Sequence, residues 1–411
     1  MRFAVIVTVV TLLVLGAGLA ECADTYYVST HGKDEEGRGG ESDPFQSVKF
    51  ALGQAGDEDV TIRMLEGEYP VSKKEGDTFP ASLTVEGLVL EAWPSGAEVT
   101  VLLSYSMHVH KNTTLRGITF GVEVGEHVRF AAGVQVASVG VMLAVEECEF
   151  KKVEGTRFAS SGVSSSLGSF SVVSSGFSDG SGVFVQRSTG RTEVAASFSV
   201  VDCVFVGVRD PISYNFAEGI NFFGPFYTYE KIRVTLSVRN SVFTNMGRAI
   251  SFFPTSSPFS RDETSSGEVK ATATGSVVVF KMDNVTIAQC DEGLSASANV
   301  PEAAPLFPVS ISNSRFEDIG EGEAISLEQG IAIDVVDTKF VDIKARFGAI
   351  GCFRSATLSV VSSSFDDVNG QVASPVGCTD LCAKDSKFHN NTVTHCSSTE
   401  HRFDCPGFER Q

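Results

Sequence analysis

One short pattern recurs along this chain of 411 residues: VEECEFKKV, VVSSGFSDG, VVDCVFVGV, VRNSVFTNM, ISNSRFEDI, VVDTKFVDI and VVSSSFDDV. A repeat constrains the fold more than any local propensity does. Each copy forms the same unit, and each unit buries its apolar side only by stacking on its neighbours. Aligning on the aromatic gives one column: Phe120, Phe150, Phe177, Phe205, Phe243, Ile287, Phe316, Phe340, Phe365 and Phe388. The steps are 23 to 30 residues, except for two of 38 and 44.

Two further columns are apolar, Thr113 excepted. Five residues before the aromatic stand Leu115, Val145, Val172, Val200, Val238, Met282, Ile311, Val335, Val360 and Ala383. Seven before it stand Thr113, Leu143, Phe170, Phe198, Leu236, Phe280, Val309, Ile333, Leu358 and Leu381. Alternation at that spacing is a strand with one face inward. A corner must follow, because the next inward positions fall out of phase. Three residues before the aromatic, Asp202, Asn240, Asn284, Asn313 and Asp337 supply side chains that tolerate the left-handed conformation of a sharp corner. A third strand segment opens with Arg248-Ala249-Ile250, Glu323-Ala324-Ile325 or Gly348-Ala349-Ile350. Three short strands per turn, without a helical period, predict an all-β fold: a single-stranded parallel β-helix solenoid of eleven or twelve coils. A leucine-rich repeat lacks its LxxLxLxxN spacing here, and a propeller needs a period near ~40–45 residues.

These columns resemble the pectin-lyase-like right-handed β-helix superfamily, over about residues 25–395, and that resemblance implies a right-handed solenoid. The opening TYYVSTHGKDEEGRGG, followed by a short helix, is similar to the capped start of many secreted β-helix proteins. Read from the residues, Asp43 N-caps that helix with Pro44 at its first position, and Val48, Ala51, Leu52 and Ala55 line its inner face. The domain reading is a leader over 1–20, a cap and irregular coils over 21–110, and repeats over 111–395. Insertions occupy 211–231 and 253–273, and a Cys-rich cap or tail occupies 396–411.

Met1–Ala20 has one Arg before an apolar run and ends in small residues, as a secretory signal does. Cleavage after Ala20 is expected, with an uncleaved anchor as the alternative. The mature chain is then extracellular, with no further membrane segment. Glycosylation falls at Asn112, Asn284 and Asn390 if the host is eukaryotic. A net charge of −19 argues against nucleic acid as a partner. A monomer is expected.

Chemistry is less legible. The paired-Asp, Gly-His-Gly and Arg-x-Lys motifs of β-helix galacturonases are absent, as is the Trp-x-Asp-His of pectate lyases. The only tryptophan is Trp93, followed by Pro94. Charged residues nevertheless gather past the aromatic column. Asp210, Glu292 and Glu321 could hold Ca²⁺, with Arg248 as a base for a polysaccharide lyase. The plainer reading is a solvated charge ladder without a cofactor. Tyr214, Phe222, Phe223, Phe226, Tyr227 and Tyr229 crowd the first insertion and could stack on sugar rings. The competing reading packs them on the solenoid. A non-catalytic extracellular binding protein, recognising a polysaccharide or cell-surface glycan, is favoured over a lyase or glycoside hydrolase. Cys148, Cys203 and Cys290 read as buried thiols. Cys352, Cys378, Cys382, Cys396 and Cys405 are disulfide candidates at the C-terminal end, Cys352 and Cys378 lying about one coil apart.

Overall fold

In a computed structural model, the chain forms a parallel β-helix. The structure describes residues 24–389 apart from 57–58, 72–77, 123–131, 153–160, 167, 179–181, 187–192, 208–217, 225–230, 255–276, 299–306, 321, 329, 345–348, 353–355, 369–372, 375–377 and 385–386. The strands of successive coils pair in parallel into three sheets, with 13, 12 and 11 strands among the described residues. Sheet A carries the two upstream apolar columns, as in Met142–Glu146 and Ser169–Val173. Sheet B carries the aromatic column, as in Val204–Val206 and Val242–Thr244. Sheet C carries the third segment, as in Glu218–Phe223 and Arg248–Phe253. We number the coils by the aromatic column, with Phe120 in coil 1 and Phe388 in coil 10.

The predicted columns are in register. Phe150 pairs with Phe120 and Phe177, Phe205 with Phe177 and Phe243, and Phe340 with Phe316 and Phe365. Their rings stack at 4.5–5.1 Å with planes within 4–12° of parallel. Each such stack adds about 0.5–1.5 kcal/mol to the burial of the ring. The near-parallel planes also show that successive strands of sheet B rotate very little on one another. This sheet is flat.

The corner between sheets A and B is built as the Asn and Asp column predicts. Glu147, Ser174, Asp202, Asn240, Asn284, Asn313, Asp337 and Ser362 all have φ near +50°. The residue after each corner is small and often hydroxylated. Ser241 Oγ accepts from the Cys203 backbone N–H of the coil before (3.2 Å) and donates to the Arg239 carbonyl of its own coil (2.7 Å). Ser175, Ser314 and Ser363 repeat this stitch. The amides of Asn240 and Asn284 donate along the outer edge, to Asp202 and Asn240 respectively. A second left-handed column closes the B-to-C corner at Asn245, Gln289, Asp318, Asp342 and Asp367.

Three expectations change. The capping helix is Val48–Gln54 and its N-cap is Ser47, whose hydroxyl accepts from the Phe50 N–H. Asp43 lies upstream, paired instead with Arg38. Asp34 holds the Ser47 hydroxyl and N–H, which fixes the helix start at Ser47. The stretch 211–231 is not wholly an insertion, because Glu218–Phe223 is a regular strand of sheet C. Cys352 and Cys378 do not share a column: Cys352 pairs with Leu327 in sheet C and Cys378 with Ala356 in sheet A. One full turn from Ile350–Cys352 ends at Ala373–Ser374, so Cys378 lies past it, on the next wall. The thiols of Cys148, Cys203 and Cys290 are buried, as expected, and none of the three forms a disulfide. No described helix is long and apolar enough to cross a membrane. The leader 1–20, the 255–276 part of the second insertion, Asn390, Cys396 and Cys405 lie outside the described residues.

Candidate functional site

The strands of sheet C turn Ile220, Phe222, Ile250, Phe252 and Leu294 into the core. Alternation then sends Asn221, Phe223, Ser251, Phe253 and Ser295 to the outer face. Glu218, Arg248 and Glu292 are in the phase of the inward residues and lie outside because the alternation breaks at the buried Gly219, Ala249 and Gly293. Register sets Arg248 directly between Glu218 and Glu292. Its Nε donates to Glu292 Oε2 at 2.6 Å and its Nη1 to Glu218 Oε1 at 3.2 Å. All three side chains are at least three-quarters buried. Ser251 is fully buried although it points outward, and its hydroxyl donates to Glu218 at 3.3 Å.

Burial pushes the Glu218 carboxyl above its usual pKa of 4.5, and repulsion from Glu292 adds to that, while Arg248, Ser251 and Asn221 pull it down. One coil on from Glu292, burial likewise raises the Glu323 carboxyl, again with repulsion from Glu292. These are carboxylates held in a partly dry ladder, not a solvated surface.

An aromatic strip flanks the ladder. Phe223 and Phe253 are paired in register, half-exposed and stacked, with centroids 5.3 Å apart. Phe184 meets Phe223 at 6.0 Å. Asn221 lies between strip and ladder. Its amide donates to Glu218, while its Oδ1 is buried without a hydrogen-bond partner. Two coils earlier in the same outward column, the buried Ser164 Oγ is also unpartnered.

Of the residues expected to act together, the structure brings Arg248 and Glu292 into contact. Asp210 and Glu321 lie outside the described residues, as do Tyr214, Phe226, Tyr227 and Tyr229. Phe222 is no ligand platform: it is fully buried, stacked on Phe252 and edge-on to Phe198. The sequence reading missed Glu218 and Asn221 because it assigned them to an insertion. Their signal was the phase of Ile220 and Phe222 against Ile250 and Phe252. Arg248 is held between two carboxylates through its Nε and Nη1. Among the described residues no group of three His, Cys, Asp or Glu side chains could hold a metal ion. His108 and His110 lie at the N-terminal end of the same face, and His110 Nδ1 contacts Ser138 Oγ at 3.1 Å.

This architecture is that of a parallel β-helix. No family model matches the chain, and no curated protein matches it. Solved structures show a similar outline at low identity. Pectate lyase Pel9A is 13% identical over 82% of this chain and 76% of its own, with a TM-score of 0.45. The GH136 lacto-N-biosidase from Eubacterium ramulus is 11% identical over 92% and 70%, at 0.41. A rhamnogalacturonan lyase is 10% identical over 90% and 87%, at 0.34.

Proposed function

We propose that this protein is a non-catalytic extracellular binding protein that holds a glycan against the outer face of sheet C. The observation that carries this reading is the pairing of the Phe223–Phe253 strip with the Asn221 and Glu218–Arg248–Glu292 ladder. A sugar ring offers an apolar C–H face and a hydroxyl edge. The strip meets the first, and the exposed edges of Glu218, Arg248 and Glu292 meet the second. The apolar leader supports an extracellular setting. The clamping of Arg248 between two carboxylates supports binding without turnover.

A screen of acidic and neutral polysaccharides tests this. Binding is expected without unsaturated products or new reducing ends. F223A with F253A should abolish binding and leave the fold intact. Binding unchanged in that double variant would refute the site.

One observation favours hydrolysis as a second reading. Glu218 and Glu323 are both raised by burial, the state a general acid needs. New reducing ends in the same screen, lost in E323Q, would decide for it.

A further inference from the structure

The outer face of sheet B is built differently from the rest of the surface. Val204, Val206 and Val242 stand 46%, 37% and 38% exposed on adjacent strands. In register around them are Gly176 and Ser178 in coil 3, Thr244 in coil 5, and Thr286 and Ala288 in coil 6. In these two outward columns four consecutive coils therefore present no charge, in a chain of net charge −19. The Phe177, Phe205 and Phe243 rings beneath, stacked within 4–6° of parallel, keep this patch flat.

Its two borders carry matched charges. Coil 2 supplies Glu149 before its aromatic, with Lys151 after it, and both are exposed. Coil 7 supplies Arg315 and Glu317 at the same two positions, paired to each other at 2.8 Å and each about 40% exposed. The order of charge is reversed between the borders.

We propose that this face joins two copies of the chain, related by a two-fold axis parallel to the strands and passing between Val204 and Val242. Such an axis keeps each column opposite itself and reverses the order of coils. Coil 4 then faces coil 5, coil 3 faces coil 6 and coil 2 faces coil 7. Val204 meets Val242 of the second copy, and Val206 meets Thr244. Glu149 meets Arg315, and Lys151 meets Glu317, on both sides of the axis.

An acidic protein repels its own kind over most of its surface. This patch, neutral at the centre and complementary at both borders, is where that repulsion vanishes. A two-fold along the solenoid axis would instead set Val242 against Thr244 and Glu149 against Lys151. It also sets Val204 against Val206 and Arg315 against Glu317, so only the pairing of Glu149 with Arg315, and its rescue on charge exchange, belongs to the strand-parallel axis alone. Six coils at ~4.8 Å spacing and a strip ~10 Å wide bury roughly 500 Å² over both copies, well under the ~1,200 Å² of a stable complex. The dimer is weak and forms where the protein is concentrated.

Sedimentation velocity over a concentration series, reaching hundreds of micromolar, tests this with the full chain. The wild type should move reversibly toward dimer mass. E149R and R315E should each weaken association by about tenfold or more, since like charges then face each other twice. The double variant E149R/R315E should recover wild-type association. An equimolar mixture of the two single variants should also dimerise, because both border contacts of the mixed pair then set an arginine against a glutamate. All these positions are exposed, so the variants should keep the wild-type circular dichroism and melting temperature. A wild type that stays monomeric at the highest concentration overturns the proposal. So does a double variant as weak as the singles, which would mean that these borders do not face each other.

Discussion

Sheets B and C are two walls of the same coils, with opposite allocations of chemistry. Behind sheet B lies an almost unbroken stack of phenylalanine rings, and in front of it, over coils 3 to 6, lie small or neutral residues. Behind sheet C the core is mixed: Ile220 and Phe222, then Ile250 and Phe252, then Leu294 and Ala296. Its front holds an arginine clamped between two carboxylates and a stacked aromatic pair. Where the interior is monotonous the wall is flat and needs nothing outside. Where the interior varies, the outer side chains are partly buried and bound to one another. In a solenoid the inward columns are dictated by stacking, and the outward columns are free to carry function.

The largest effect should come from the monotonous wall. F205A removes a ring held at 4.5 Å from both neighbours. A loss of about 3–5 kcal/mol in denaturant unfolding is expected. V204S, one residue away on the other face, should stay within about 0.5 kcal/mol. If the two variants cost the same, the division into inner and outer columns is wrong.

On sheet C the contrast should run through charge. R248M leaves Glu218 and Glu292 largely buried without their cation. A loss of about 1–3 kcal/mol near pH 7.5 is expected, discounted for partial exposure. The loss should shrink in mild acid, where the Glu218 carboxyl, raised by burial, takes up a proton. An equal loss at both pH values would show that Arg248 matters for packing rather than for charge.

The corners that join the walls should respond less. S241A takes the acceptor from the buried Cys203 N–H and should cost about 1–2 kcal/mol. Thermal melts of S241A beside S251A would compare a corner hydroxyl with a sheet C hydroxyl, the corner being the more sensitive.

The smallest effects concern pH. Burial raises Glu218 and Glu323, so each favours the folded state below the usual glutamate pKa of 4.5. That contribution is lost as pH rises through the raised value. Asp283 is held down by hydrogen bonds from Ser312 and Asn313. Its contribution is present above the usual aspartate pKa of 3.8 and is lost as pH falls through the lowered value. E323Q should flatten the melting temperature on the side above 4.5, and D283N on the acid side. Swapped outcomes would contradict both environments.

The interior was readable because stacking repeats it. Leu115 to Ala383 and Phe120 to Phe388 occupy one column each, and the Asn and Asp corner has the left-handed backbone that its side chains favour. The second corner was also written in the chain, in Asn245, Asp318, Asp342 and Asp367. It sits downstream of the aromatic, in a stretch where coil lengths begin to differ. The sheet C ladder was harder to see. A step of 38 residues between Phe205 and Phe243 hides a regular strand, and only the phase of Ile220 and Phe222 gives it away. Arg248 and Glu292 were singled out from sequence, but their joint partner was not. An ion pair across a solenoid depends on register between coils, which no local spacing states.

Cys148, Cys203 and Cys290 sit in coils 2, 4 and 6, each with its sulfur against backbone carbonyls. Burial pushes the first two thiols up to about 12 and about 11, so almost no thiolate exists at neutral pH. These atoms are silent toward alkylating reagents for as long as their own coil stays shut. The chain thus carries three built-in clocks at alternate rungs. Mass-resolved labelling in graded denaturant would read which rung opens first, and whether the solenoid unzips from one end or lets go all at once.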